Sequence, residues 1–397
     1  MRGKEMKRLT ILISGAGIAG STLAHWLLER GHEPVIVERA PQFRTGGYMI
    51  DFWGLGWDVA ERMGLIPRLR EVGYRMERIQ FVDARDRVRS EFGGEIFFAA
   101  LHDRAMSLPR ADLAKTIYDL IAEKVEVIYG DSITAIDERA DGVEVTFEHA
   151  PARKFDFVAG CDGLHSTVRQ LVFGAEEQFE KYLGYETASF TTEDYSRRNE
   201  LTYLSYGAPG RQISRYALRD NRTAFFFVFA RAAKSSGQEP RELLHEIFGR
   251  DEWVEIPEVL RALDRCQDLY FDSVSQIQMP RWSRGRSVLV GDAAFCPSLL
   301  AGEGAAFAMA GAYILAGELE RAGGDHALAF RAYEERFRPF IQRKQRSAAQ
   351  FAGSFAPRTR FGLFVRDQVL HLAARFRPVA NYLIRQFVRD DFALPRY

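Results

Sequence analysis

A strand-like run, Arg8 to Ser14 (RLTILIS), leads into Gly15-Ala16-Gly17-Ile18-Ala19-Gly20 and then into the helical run STLAHWLLERG. This junction constrains the chain more than any other stretch. A glycine-bearing turn between a buried strand and a helix N-terminus opens a βαβ unit, with bare backbone N–H groups at the helix end. Each glycine has its own physical reason. Gly15 permits the tight turn, Gly17 lets backbone N–H groups approach a pyrophosphate, and Gly20 allows the helix to pack closely on the strand. Ala16, Ile18 and Ala19 complete the loop. The next strand, EPVIVERA, ends on Glu38 and Arg39, and Glu38 lies eighteen residues after Gly20. An acidic side chain at that distance can accept hydrogen bonds from an adenosine ribose. It also disfavours a ribose carrying a 2′-phosphate, which points to FAD or NAD. A glycine-rich turn without a ligand is the alternative, and the strand–loop–helix context argues against it.

A chain of 397 residues has room for two domains, and a hydrophobic content of 47% can fill a substantial core. The 54 basic and 54 acidic residues balance, so no nucleic-acid partner is expected. Cys161, Cys266 and Cys296 show neither metal-ligand spacing nor a disulfide framework. They suit a reducing cytoplasm, and no metal site is expected. The apolar run near the start is broken by glycines and reads as a strand rather than a signal peptide. No uninterrupted apolar segment is long enough for a membrane span.

A second loop lies far along the chain. The apolar run SVLVGD ends on Gly291-Asp292 and passes through Gly302 and Gly304 into an alanine-rich helical pattern at Ala305. With LPRADL (108–113) and GCDGLHSTVR (160–169), the stretch GDAAFCPSLLAGEGAAFAMAGA (291–312) completes an ordered set of motifs. In this order they resemble the single-component FAD-dependent aromatic hydroxylases. That para-hydroxybenzoate hydroxylase-like family includes the tetracycline-inactivating monooxygenases. The resemblance covers nearly the whole chain. It implies one extended FAD, with its adenosine end at the first loop and its flavin at the second.

On that resemblance, Asp292 accepts hydrogen bonds from ribityl hydroxyls, although it can also be read as a helix cap. The N–H groups near Gly302, Gly304 and Ala305 face the flavin, where the helix dipole can stabilise negative charge. Arg110 contacts the ribose–phosphate region or is a surface arginine at a helix start. Asp162, followed by Gly163, Ser166 and Arg169, serves a nucleotide or serves only architecture. Arg44 and Gly47, in Arg44-Thr-Gly46-Gly47-Tyr48, lie at the flavin ring or in an ordinary turn. The chain also departs from the family pattern. Phe295 stands where histidine is usual, and Leu299, Ala306 and Gly311 replace proline, asparagine and aspartate, while Pro297 comes two positions early.

Between 176 and 282 the runs LTYLSYG, RQISRYALR, RTAFFFVFAR and FDSVSQIQM read as strands. The expected fold class is α/β: a Rossmann-like FAD-binding domain, an antiparallel β-sheet substrate domain and a C-terminal helical segment. The expected boundaries are 1–73, 99–175 and 283–356 for the first, 74–98 and 176–282 for the second, and 357–397 for the third. Tyr203, Tyr206, Phe225 and Phe227 either offer one face to a flat substrate or are plain core. The tail from Phe361 to Arg389 alternates polar and apolar residues at helical spacing, with a break expected at Pro378. It bridges the two domains or lies on a membrane surface, and the bridge is favoured because its arginines are spread over several faces.

The resemblance implies a monooxygenase. NADH or NADPH reduces the flavin, O₂ is trapped as a C4a-hydroperoxide, and an aromatic or polyketide-like small molecule is hydroxylated. The cofactor carries the hard chemistry, so no catalytic acid or base is singled out. A flavin-dependent dehydrogenase or reductase, or a non-catalytic flavin-binding protein, would carry the same loops. The motifs specify neither the substrate nor the oligomeric state.

Overall fold

The computed structural model describes residues 7–43, 46–193, 195–235, 237–376 and 391–397. Its first layer is a six-stranded sheet in the order Ser283–Arg284, Ser287–Leu289, Phe157–Gly160, Thr10–Ser14, Glu33–Glu38, Glu126–Tyr129. All neighbours are parallel except the terminal hairpin. Thr10–Ser14 is central because Ile11, Leu12 and Ile13 are wholly buried between layers. The chain leaves this strand for Glu33–Glu38 on one side and pairs with Phe157–Gly160 on the other. That reversal opens a crevice at the strand's C-terminal end, where Gly15 begins.

Two helices cover the crevice side by side. Ile18–Glu29 follows the first loop, and Gly304–Arg321 follows the second and packs against it. Gly291 sits at their meeting point. A Cβ there would lie 3.1 Å from Ala19 Cβ and 3.3 Å from Ala308 Cβ. The two glycine loops, 276 positions apart from Gly15 to Gly291, are therefore neighbours.

The second layer is a seven-stranded sheet: Tyr270–Ile277, Glu180–Glu193, Arg222–Ala230, Arg211–Ala217, Thr202–Ala208, Arg78–Val82, Val88–Gly93. Its pairings are antiparallel except Thr202–Ala208 with Arg78–Val82, which is parallel. Two short helices that the strand-rich sequence did not announce, Pro240–Phe248 and Ile256–Arg265, cover one face. Strand alternation sends Phe225, Phe227 and Tyr206 into the core beneath them. Of the four aromatics considered for a substrate face, only Tyr203 lies on the other side. Phe226, one residue out of phase, joins it there.

A buried amide pair ties the layers together. Gln276 on the last long strand donates to Pro297 O (2.9 Å) and Gln345 O (2.7 Å). Gln345, on the helix His326–Phe355, donates to Ile277 O (2.7 Å) and Cys296 O (3.1 Å). Both side chains are buried, so these bonds fix strand, second loop and long helix in one arrangement.

Both described parts of the tail dock within the molecule. The helix Arg360–Arg375, capped by Thr359, lies across Thr202–Ala208 and Val88–Gly93. At the end of the chain, Phe392 stacks near Phe337 and Phe340, and Tyr397 Oη donates to Glu318 (2.7 Å). The break expected at Pro378 lies outside the described residues.

The departures at 295 and 311 meet in space. Phe295 is buried against Trp282 and Phe337 (ring centroids 4.6 and 5.6 Å), and a Cβ on Gly311 would come within 3.1 Å of Phe295 Cζ. The missing side chain at 311 makes room for the ring. Gly311→Asp alone should destabilise the protein by about 3 kcal/mol or more, since it crowds the ring and buries an unpaired carboxyl. Adding Phe295→His should recover at least about 1 kcal/mol. Urea denaturation of both single variants and the double variant checks this; strictly additive losses would contradict the coupling.

Candidate functional site

The first loop has the geometry its glycines demand. Gly15 has φ 101°, and a Cβ on it would lie 2.7 Å from Cys161 O, in the neighbouring loop. A Cβ on Gly20 would lie 1.9 Å from Gly15 O, so the helix could not approach its strand with any side chain there. Around Gly17 the opposite holds: its Cβ would meet nothing within 4 Å. Gly17 is the N-cap of Ile18–Glu29, and the space beside it is open at a helix N-terminus, the local chemistry that receives a phosphate. Glu38 accepts from Ala16 N (2.9 Å) through one oxygen and from Ala40 N (2.8 Å) through the other. The carboxylate is thus fixed against the loop and retains lone pairs for a ribose hydroxyl. Arg39 beside it is exposed.

Gly17, Ile18 and Ala19 line a cleft that also receives Arg110 from the helix Arg110–Tyr118. Asp292, Gly302, Gly304 and Ala305 of the second loop line the same cleft. The short helix Asp292–Phe295 takes Gly291, not Asp292, as its N-cap. The Asp292 carboxylate is therefore not consumed by capping. Burial raises its pKa, and the nearby Arg110 guanidinium and Cys296 thiol oppose the rise. Gly302 adopts the left-handed conformation, φ 72°, that turns the chain into Gly304–Arg321. A Cβ on Gly304 would stand 3.6 Å from Asp292 Oδ1, so acid and helix start share one small volume. Gly47 lies against Arg110, whose N–H donates to Tyr48 O (2.9 Å). Arg44 lies outside the described residues.

The 160–169 motif borders this cleft, and its polar side chains are largely engaged within the protein. Asp162 accepts from Ser166 Oγ (2.5 Å), Val168 N (3.0 Å) and Ser14 Oγ (3.2 Å), which fastens it to the first strand. Arg169 is fully buried and donates to Ala293 O (3.0 Å), directly linking this motif to the second loop. Gly163, with φ 80° and open space at its Cβ position, lines the cleft. His165 spans the layers: Nδ1 lies 2.9 Å from Glu176, and Nε2 lies 3.2 Å from Asp272 on the seven-stranded sheet. These carboxylates, Asp272 first, raise its pKa to about 9 against burial.

Several lining residues carried no motif. Tyr48 and Tyr270 face each other across the cleft with ring centroids 5.3 Å apart, and Phe226 lies 6.1 Å from Tyr48. Burial pushes the Tyr48 hydroxyl up to about 12, so it stays protonated at neutral pH. Asp272, Ser273 and Ser275 complete the sheet's contribution. Tyr48 directly follows Gly46-Gly47, but nothing local marks Tyr270 or Asp272. Further along the same face, Tyr203 Oη is 2.6 Å from Ser214 Oγ, Gln212 Nε2 donates to Ser214 Oγ (3.2 Å), and Arg366 of the tail helix donates to Gln212 Oε1 (3.0 Å). Asp51, accessible on the facing strand Met49–Trp53, accepts from Ser107. The face opposite the two short helices therefore combines aromatic rings with hydroxyls and an amide, and the tail helix lies over part of it. Such a surface can hold a flat, oxygen-bearing molecule.

Two glycine loops, one half-buried acid and two helix N-termini around a single cleft define an FAD-binding flavoprotein. Known proteins agree. The family model for an FAD binding domain matches residues 8–347. A flavin-dependent monooxygenase of Legionella longbeachae is 32% identical over 398 residues, covering 98% of this chain and 99% of its own. Rv1260, an uncharacterized protein of Mycobacterium tuberculosis, is 40% identical over 347 residues, 85% of this chain and 91% of its own. The crystal structure of the tetracycline destructase Tet(51) superposes with a TM-score of 0.82 at 28% identity, covering 98% of this chain and all of that one. The chain belongs to the single-component FAD-dependent aromatic hydroxylase family and is a flavin-dependent monooxygenase.

The glycines separate folding from binding. Gly20→Ala should cost more than about 2 kcal/mol of stability through its clash with backbone. Gly17→Ala should cost at most about 1 kcal/mol, yet weaken FAD binding because its methyl enters the open cradle. Thermal melts of flavin-free protein and FAD titrations distinguish the two effects.

His165 sets a pH window. Its folded pKa lies above the ordinary 6.5, so its contribution is fully present below pH 6.5 and is lost as pH rises through about 9. The melting temperature should fall across that interval, and His165→Gln should flatten the fall. An unchanged profile in the variant would show that the contact between the layers contributes nothing.

Proposed function

We propose that this monooxygenase uses NADH or NADPH and O₂ to hydroxylate an aromatic or polyketide-like small molecule. The carrying observation is that one cleft is lined by both glycine loops, by Tyr48 and by Tyr270, Asp272, Ser273 and Ser275 of the seven-stranded sheet. Gly15 to Gly20, with Glu38 and Arg39, would hold the adenosine and pyrophosphate end of FAD. Arg110 and Asp162 lie along its middle. Asp292 would hold the ribityl chain, and Gly47, Gly302, Gly304 and Ala305 would border the ring. The open cradle at Gly17 and the uncapped Asp292 carboxylate fit such a group. When bound, FAD supplies hydride acceptance and activation of O₂.

The chain's own part is to bind, orient and exclude water. Tyr48 and Tyr270 narrow the passage between cofactor cleft and sheet, and the Gln212–Ser214–Tyr203 row would orient substrate oxygens. The division into a cofactor domain (1–73, 99–175, 283–356), a substrate domain (74–98, 176–282) and a bridging tail (357–397) is part of the same proposal. So is a cytoplasmic setting, which suits three buried free cysteines. Among the described residues no helix is long and apolar enough to cross a membrane. The polycyclic substrate named for Tet(51) makes polycyclic phenols and enols the first compounds to try.

Asp292→Ala should weaken FAD retention by about 1–3 kcal/mol through lost hydrogen bonds, measured by flavin fluorescence on dilution. In the intact enzyme, NAD(P)H oxidation should be slow and yield hydrogen peroxide until a substrate raises the rate and gains one oxygen by mass spectrometry. Equal turnover without O₂, using an organic electron acceptor and giving no oxygenated product, would indicate a dehydrogenase instead.

A further inference from the structure

The tail helix Arg360–Arg375 has two apolar faces, and only one of them is docked. Leu363, Arg366, Leu370 and Ala373 recur on one side, and this side meets the sheet. Gly207 leaves room for Leu363 and Arg366, Arg366 reaches Gln212, and Ala373 is buried. On the opposite side stand Phe361, Phe364, Val365, Val369 and Leu372, followed by Phe376 just beyond the helix. All six are between 41% and 75% exposed. At 3.6 residues per turn they occupy an arc of about 140°. They are six of the ten large exposed hydrophobic side chains among the described residues. Scattered exposed hydrophobics need no explanation, but a continuous stripe on one helix marks an interaction surface.

The charges beside the stripe choose its occupant. Arg360, His371 and Arg375 are exposed along its flank, with Arg358 just before the helix. The acid on that flank, Asp367, is already engaged by Arg366 at 3.3 Å. Phenyl rings and aliphatic side chains on one arc, with arginines at its margin, are the chemistry of a helix lying in the interface of an anionic lipid surface. We propose that this face docks the enzyme peripherally on anionic membranes, with the helix in the plane of the headgroups and no segment crossing. Inward packing on the sheet and outward contact with lipid use opposite sides of one helix, so the intramolecular dock does not compete with the membrane. The helix packs at the Val88–Gly93 edge of the seven-stranded sheet, so the enzyme would meet the bilayer at that edge.

The test uses the full-length, flavin-loaded protein at physiological salt. It is sedimented with phosphatidylcholine vesicles and with vesicles carrying about a quarter phosphatidylglycerol. The protein should pellet with the anionic vesicles and stay in solution with the neutral ones. Phe361→Glu with Phe364→Glu should abolish pelleting while leaving melting temperature and flavin content unchanged. Arg360→Gln with Arg375→Gln should weaken it about thirty-fold, as expected for two arginines near an anionic surface. Failure to pellet with either vesicle would overturn the proposal, as would equal pelleting by the glutamate variant. A lower melting temperature in that variant would show the stripe covered by the chain itself. A wild-type dimer that the variant dissolves would assign the stripe to a second copy. Neither result bears on NAD(P)H turnover, so the oxygenase reading is tested separately.

Discussion

Where the N-terminal halves of the helices Ile18–Glu29 and Gly304–Arg321 pass Gly291, the contact is made by groups no larger than a methyl. Ala19 and Ala308 approach the bare Cα of Gly291 from both sides, and a single added carbon would already touch both. Because the helices can come this close, their N-terminal ends open into the same cleft, and the loops feeding them lie next to one another. A wider crossing would separate the loops and leave two anion sites instead of one continuous cradle. The closeness of the two loops, which would let one long cofactor be gripped at both ends, thus depends on three small residues. Gly56 works the same way on the far side of the second helix, where its missing side chain admits Ala306.

The seven-stranded sheet gives this cradle a second wall, and the amide pair Gln276–Gln345 sets the distance between them. Buried amides that satisfy three backbone carbonyls beyond the pair itself hold one arrangement and penalise every slide away from it. Arg169 does the same for the motif at 160–169, reaching Ala293 O with a guanidinium that burial makes costly to leave unpaired. These polar ties cross between elements that hydrophobic packing alone would allow to shift. A site that must hold a substrate within reach of a flavin needs that rigidity, since displacement by about an ångström can cost a hundred-fold in rate.

The legible parts of the molecule were those governed by local constraint. Gly15, Gly17 and Gly20 are dictated by a turn, an open cradle and a helix contact within six residues of chain, so a strand–loop–helix reading recovers them. Glu38 follows from the rise of one helix and one strand. The faces of the large sheet were less legible. Phe225, Phe226 and Phe227 alternate sides by strand geometry, but no feature of FFFVF says which side two later helices will cover. Tyr270 and Asp272 reach the cleft only because their strand lies at the end of that sheet nearest the second loop. The departures at 295 and 311 are sixteen positions apart in sequence, and only packing shows that they touch.

That the sequence names no catalytic acid or base is itself informative. In hydrolases a nucleophile and its base must meet, and their residue types betray them. Here the reactive atoms belong to a cofactor, and what the chain must supply is shape, exclusion of water and a few fixed dipoles. Those tasks are distributed over backbone N–H groups, small residues and neutral hydroxyls, which leave a faint signature. Asp292 is the exception because the proposed hold on the ribityl chain requires a charge, and the charge sits where burial penalises it and only Arg110 and a thiol offset the penalty. A half-buried acid that does not cap its own helix is costly to the fold, and such a cost persists where a ligand uses the group. Asp292 is thereby held beside the start of Gly304–Arg321, where a Cβ on Gly304 would stand 3.6 Å from its Oδ1.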